Sequence, residues 1–146
     1  MVHPARAKMG ATLKSSVIPK LRGMGFKGTF PHFRRQAESC IELLTFQFNL
    51  SGGSFVIELS ACTQNELEQH WDSRLTAKTV TAHDMGNRYR LGASSKGSDH
   101  WFVFGKRNDE PGHERVQADA DFINLANRVN ELIDSQANDI WLQLTS

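Results

Sequence analysis

Among the residues able to do chemistry, His83-Asp84 comes nearest to a catalytic dyad, because a carboxylate beside an imidazole raises its proton affinity and fixes its tautomer. Neighbouring side chains on an extended chain point apart, however, so the pair reads equally well as part of a surface loop. The six histidines, His3, His32, His70, His83, His100 and His113, contain no His-x-x-x-His spacing, and neither Cys-x-x-Cys nor His-Glu-x-x-His occurs. Zinc therefore has no support, and no metal ligand, cofactor or catalytic residue is assigned. A thiol nucleophile would need a base beside it in space. Cys62, at a strand end, is better placed for that than Cys40, which faces the core, but no spacing ties either to a histidine.

The local segment richest in binding chemistry is Lys27-Gly-Thr-Phe-Pro-His-Phe-Arg-Arg35. Arginine forks beside aromatic rings clasp phosphates and stack on bases, so Lys27, Arg34 and Arg35 are the candidate binding residues. The competing reading is an edge strand whose phenylalanines enter the core while its arginines discourage edge-to-edge pairing.

These residues need elements to position them. Met9, Leu13, Val17, Leu21 and Met24 recur every three or four residues and predict a helix over about 5–23. Pro19 removes a backbone donor inside that pattern and predicts a kink or break near Val17, and Gly23 and Gly25 end the helix. A first strand is expected over about 29–35, at a sheet edge because of Pro31. Strands over 40–50 and 54–62 flank Ser51-Gly52-Gly53-Ser54, a hairpin turn. A two-residue turn at Gly52-Gly53 sets Leu50 opposite Phe55 and Leu44 opposite Ala61, with Leu44, Phe46 and Phe48 sharing a face with Phe55, Ile57 and Leu59. By the same parity Cys40 and Cys62 lie on opposite faces, where no disulfide closes. Ile41, Leu43 and Val56 fall on the second face, which calls for a covering loop, helix or second subunit.

Thr63 and Glu66 have capping-box spacing at the start of a helix over 63–75, striped by Leu67, Trp71 and Leu75. Residues 76–86 read as loop or weak strand, and 88–93 and 100–104 as two further strands joined by a polar turn. After the loop beginning at Gly105, Phe122, Leu125, Ala126, Val129, Leu132 and Ile133 mark a final helix over 119–137. The fold class is thus α+β, an antiparallel sheet of four or five strands covered by an N-terminal and a C-terminal amphipathic helix. The 146 residues fit one domain, with residues 1–8 a terminus that need not be ordered.

The gathered pieces resemble a bacterial family, domain of unknown function 4304. The likeness rests on Gly25-Phe26-Lys27-Gly28-Thr29-Phe30 with Arg34, on Leu44–Leu59, on Arg88-Tyr89-Arg90-Leu91-Gly92 and on Trp101-Phe102, and spans about residues 12–140. It implies a fold type and a bacterial source and brings no catalytic residues.

Composition narrows the functional classes. At 39% hydrophobic and 23% charged residues the chain is too apolar for a disordered protein. It has no apolar run long enough to span a membrane and no signal-like h-region, so a cytoplasmic protein with no membrane partner is expected. Two unpaired thiols fit that reducing compartment. The net charge of +1 hides an asymmetry, since residues 1–37 carry eight basic side chains and no acidic one. That third either forms a binding face or pairs with the acidic remainder of the chain. The expectation is a non-enzymatic module that binds a macromolecule, with a partner protein ranked first and nucleic acid through the basic third second. An enzyme with a site assembled from distant residues such as His83, His100 and Tyr89 is the remaining alternative, and oligomeric state is left open.

Overall fold

The computed structural model describes residues 5–50, 52–70, 72–105 and 119–145, with Asp119 described in its backbone alone. Helices α1 (Arg6–Ser16) and α2 (Ile18–Gly23) meet at Val17, the break that Pro19 imposes. Met9, Leu13, Val17 and Leu21 form a stripe with no solvent exposure, so the break leaves the apolar face continuous.

Pro31 does not sit within an edge strand as expected. It lies in the tight turn between β1 (Lys27–Thr29) and β2 (His32–Gln36), which pair antiparallel. A residue with no backbone donor is tolerated in a turn and would interrupt a ladder. β1 is therefore the edge, and β2 is an interior strand against β3 (Cys40–Phe48).

The β3 pairing with β4 (Ser54–Thr63) matches Phe48 with Phe55 and Leu44 with Leu59. The predicted register is thus wrong by two residues, because the turn takes in Leu50 instead of Gly52-Gly53 alone. A shift of two preserves side-chain parity, so the predicted faces hold, while Leu50 becomes exposed. The turn is longer because Gly53 does other work: its carbonyl accepts from the backbone N–H groups of Phe104 (2.8 Å) and Gly105 (3.0 Å). A Cβ on Gly53 would lie 2.5 Å from the Gly105 backbone, so only glycine allows this approach.

β5 (Arg88–Arg90) and β6 (Phe102–Val103) do not pair with each other. β5 joins β4 at Glu58–Ser60 and β6 joins it at Ser54–Phe55, which completes a six-stranded antiparallel sheet in an α+β fold. Thr63 and Glu66 form the expected capping box, but α3 (Gln64–Gln69) stops at His70. His70 has turned to extended backbone, and its Nδ1 accepts from the Asp72 N–H at 3.0 Å. Trp71, part of the predicted stripe, lies outside the described residues, as do residues 106–118.

The last helix is longer than predicted. α4 (Asp119–Leu132) passes through a wider π turn at Ile133–Ala137 into α5 (Asn138–Leu144). The extension buries Ile140 and Trp141, whose indole N–H donates to the Leu43 carbonyl at 3.2 Å. The first sheet face packs Phe33, Leu44, Phe46, Phe55, Ile57 and Leu59 against the α1–α2 stripe and against Phe122, Ala126, Val129 and Ile133. Phenylalanine rings 5.1–6.4 Å apart fill its centre.

Gly53→Ala is expected to destabilise the protein by about 2 kcal/mol through overpacking against Gly105. Gly86→Ala, a site with open space around its Cβ, should change stability by less than about 0.5 kcal/mol. Urea denaturation of both variants checks the difference.

Candidate functional site

The second sheet face is built in rows that follow the strand register. One row runs His32, Thr45, Glu58, Arg90, and the next Lys27, Arg34, Leu43, Ser60, Arg88. Thr45, Glu58 and Ser60 are buried polar residues, and each has a partner. His32 Nδ1 and Thr45 Oγ1 share a hydrogen bond at 3.0 Å. The Glu58 carboxylate lies 3.5 Å from Arg88 and 3.4 Å from Arg90, and the Ser60 hydroxyl donates to the Asn87 carbonyl at 2.6 Å.

Residues 76–87 cover part of this face. Val80, Ala82 and Met85 pack on Ile41, Leu43 and Cys62, so a loop supplies the cover that the apolar residues require. The loop is pinned by side chains: Arg34 Nε donates to the Val80 carbonyl at 2.9 Å, and His70 Nε2 bonds the Asp84 carbonyl at 3.0 Å. Asp84 in turn caps the turn at Ala82–Asp84 by accepting from the Thr81 N–H at 2.8 Å. His83 and Asp84 are therefore not a dyad. Asp84 is engaged with Thr81, and the His83 ring stands edge-on to His32 at 5.7 Å.

Between this loop and the β1–β2 edge lies an open cavity of about 780 Å³, lined by Gly25, Lys27, Gly28, Arg34, Gln36, Ile41, Ala77 and Lys78. Lys27 and Arg34 face each other across the β1–β2 ladder, and Lys78 approaches from the loop. Three cations thus border the cavity, and among the described residues no carboxylate lines it. Burial pulls the Arg34 guanidinium below its ordinary value and Asp84 pulls it back, but an arginine so placed remains cationic. Gly28 has φ +118°, and a Cβ there would collide with the His32 carbonyl and lie 3.3 Å from Arg34 Nη1.

Of the sequence-marked binding residues, the structure brings Lys27 and Arg34 together and sends Arg35 to the other face. Arg35 donates to Glu42 Oε1 at 2.7 Å, to the Met24 carbonyl at 3.1 Å and to Asn138 Oδ1 at 3.2 Å. Its guanidinium lies 4.7 Å from the centre of the Phe26 ring and 5.2 Å from that of Trp141. Other cations of the basic third also lie over rings, with Arg6 on Phe48, Lys14 on Phe30 and Arg22 on Phe33. Lys20 pairs with Asp134 at 2.5 Å, an ion pair between the basic third and the acidic remainder.

The remaining candidates scatter. Tyr89 is in the first-face core, its hydroxyl donating to the Ala93 carbonyl at 3.3 Å, and the His100 ring packs edge-on to Phe102. Neither converges with His83. Cys40 pairs in register with Thr63, and Cys62 with Ile41 on the second face; both are free and buried. Burial, helped by Glu66, pushes the Cys62 thiol up to about 11, and burial with Glu42 raises Cys40, so neither is a ready thiolate. His3 and His113 lie outside the described residues.

Sequence reasoning passed over Lys78 and the glycines of the cavity. The available signal was Gly23-Met-Gly25-Phe-Lys-Gly28, a G-x-G-x-x-G run. It leads from a helix into a strand, the reverse of the order in which such a run cradles a dinucleotide at a helix start.

Arg35→Ala should cost about 2–3 kcal/mol in urea denaturation, because it leaves the half-buried Glu42 unpaired and uncovers Phe26 and Trp141. Arg35→Lys should recover less than half of that, since an ammonium cannot reproduce the fork. His32 is held below its usual value by burial and then by His83 and Arg34, with Asp84 opposing. The unfolded chain therefore binds a proton more readily, so this contribution to stability is complete above about pH 6.5 and is lost as pH falls below it. Stability curves between pH 5 and 8 should be flatter for His32→Gln than for the native sequence.

Neither curated proteins nor solved structures yield a match to this sequence. A family model does, over residues 17–143, from the α1–α2 break into the last turn of α5, and takes in the hairpin, the cavity and the Arg35 clamp. The chain therefore belongs to the family described as domain of unknown function (DUF4304).

Proposed function

We propose that this chain is a binding module that takes an acidic segment of a partner protein into the cavity between the β1–β2 edge and the 76–80 loop. The observation that carries the reading is the meeting of Lys27, Arg34 and Lys78 around about 780 Å³ of open space with no carboxylate among the described residues that line it. A cleft lined by one sign of charge focuses its field and raises the local concentration of opposite charge. The volume is in the range of sites that hold a small ligand or a short stretch of peptide. Ile41 and Ala77 offer apolar surface to whatever flanks the charged group, while the Gln36 amide donates to the Ala37 and Cys40 carbonyls.

A compact acidic segment fits better than a long polyanion. Of the basic residues in the first 37, Lys27 and Arg34 open onto the cavity, while Arg6, Lys14 and Arg22 lie over aromatic rings and Arg35 is tied to Glu42. A cytoplasmic, non-catalytic role goes with this reading, supported by two buried, protonated thiols and by the separation of His83, His100 and Tyr89.

The test is fluorescence anisotropy with a labelled ten-residue glutamate-rich peptide, titrated at low and high salt. Binding should weaken with salt, and Lys27→Glu with Lys78→Glu should lower affinity at least about tenfold, two exposed charge pairs becoming repulsions. Affinity indifferent to both changes would remove the cavity from the binding surface. Tighter retention on duplex DNA, with a log–log salt slope near about −4.5 for five neutralised phosphates, would transfer the function to nucleic acid.

A further inference from the structure

We propose that the same cavity is a phosphoryl site, in which Arg34, Lys27 and Lys78 hold one phosphomonoester dianion carried on a side chain of the partner. The inference rests on the reading of the cavity as a binding site and narrows its ligand chemistry. Arg34 supplies the first argument. Its Nε is committed to the Val80 carbonyl, which fixes the plane of the guanidinium and leaves Nη1 and Nη2 as a fork. A preset fork loses little freedom when it takes two oxygens of a phosphate, and bidentate geometry favours the phosphoryl group.

Gly28 supplies the second. At φ +118° a Cβ would collide with the His32 carbonyl, so only glycine allows the close β1–β2 approach that sets the Arg34 guanidinium beside the β1 backbone, Nη1 lying 3.3 Å from that Cβ position. Gly25 and Gly28, both at positive φ, border the cavity with backbone and no side chain.

Charge supplies the third. Neither Lys27 nor Lys78 pairs with a carboxylate among the described residues, so three positive groups face one opening. A single carboxylate would leave two of them unneutralised, whereas a phosphomonoester carries close to two negative charges at neutral pH. The cavity is also far larger than a phosphate, and Gln36, Ile41 and Ala77 extend it along the β2–β3 surface. A phosphate on a peptide uses that surface; a free ion leaves it empty.

Isothermal titration would use a seven-residue peptide with a central phosphoserine, its serine and glutamate counterparts, inorganic phosphate, and a 5′-phosphorylated oligonucleotide. The phosphoserine peptide should bind at least about tenfold more tightly than the serine or glutamate forms or inorganic phosphate, the difference one bidentate charged contact makes. Arg34→Lys should abolish that preference. Lys27→Ala and Lys78→Ala, both at exposed positions, should each weaken the phosphopeptide at least about threefold with an unchanged thermal midpoint. Equal binding of phosphoserine and glutamate peptides, weakened alike by the lysine variants, would overturn the phosphoryl site and leave the acidic-segment reading standing. Inorganic phosphate or the oligonucleotide binding as tightly as the phosphopeptide would overturn the peptide-borne assignment. Phosphopeptide binding untouched by all three substitutions would overturn both readings.

Discussion

The pairing of β3 with β4 is the constraint on which the rest of this molecule depends. Nine matched residues, Cys40 with Thr63 through Phe48 with Phe55, place even-numbered β3 residues and odd-numbered β4 residues on one face and their neighbours on the other. Both strands are buried over most of their length, so neither face is simply a solvent face. The first is apolar and demands helices, and the α1–α2 stripe and α4 meet it. The second mixes Ile41, Leu43 and Val56 with Thr45, Glu58 and Ser60, and a mixed face cannot be covered by an apolar helix without stranding polar groups. A loop serves instead, because its backbone supplies hydrogen-bonding partners, as the Val80 and Asn87 carbonyls do for Arg34 and Ser60. The cavity follows from that choice: the loop packs on the centre of the sheet and stands off its β1–β2 edge.

Much of this was legible in the sequence, for reasons that can be named. The α1–α2 stripe, the break at Val17, the capping box at Thr63 and the two faces of the hairpin all rest on local periodicity or local backbone chemistry, which tertiary packing reinforced. Opposed thiols came from parity alone. The failures share another cause. The hairpin register was set by a contact 52 residues away, Gly53 against Gly105, and turn propensity could not anticipate it. β5 and β6 looked like a hairpin because they are successive, yet each found β4 first. The end of α3 was decided by the bonds of His70 to Asp72 and Asp84.

The candidate site was half legible for the same reason. Lys27 and Arg34 drew attention through local composition, and their pairing across a tight turn keeps them together. Lys78 is more than forty residues away in an unpatterned segment, and only the docking of 76–87 brings it in. In the sequence Gly25 reads as a helix end and Gly28 only as part of the basic Lys27–Arg35 segment. Their role near the cavity follows from the bends they take, which a one-letter code records as permission and not as instruction.

Arg34 and Arg35 show how little a charge count says about charge use. Adjacent in sequence, they leave the pleat in opposite directions. Arg35 enters the side where α5 crosses the sheet, and there its flat guanidinium bridges Glu42, Met24 and Asn138 while covering two aromatic rings. Those contacts use its donors and its faces together, so its charge is internal to the fold. Arg34 gives one donor to the loop and keeps the rest toward the cavity, where Lys27 and Lys78 add charge that no described lining residue offsets. The division between these two neighbours is one of strand parity, fixed by the β2–β3 register: one cation holds the core closed and the other faces outward.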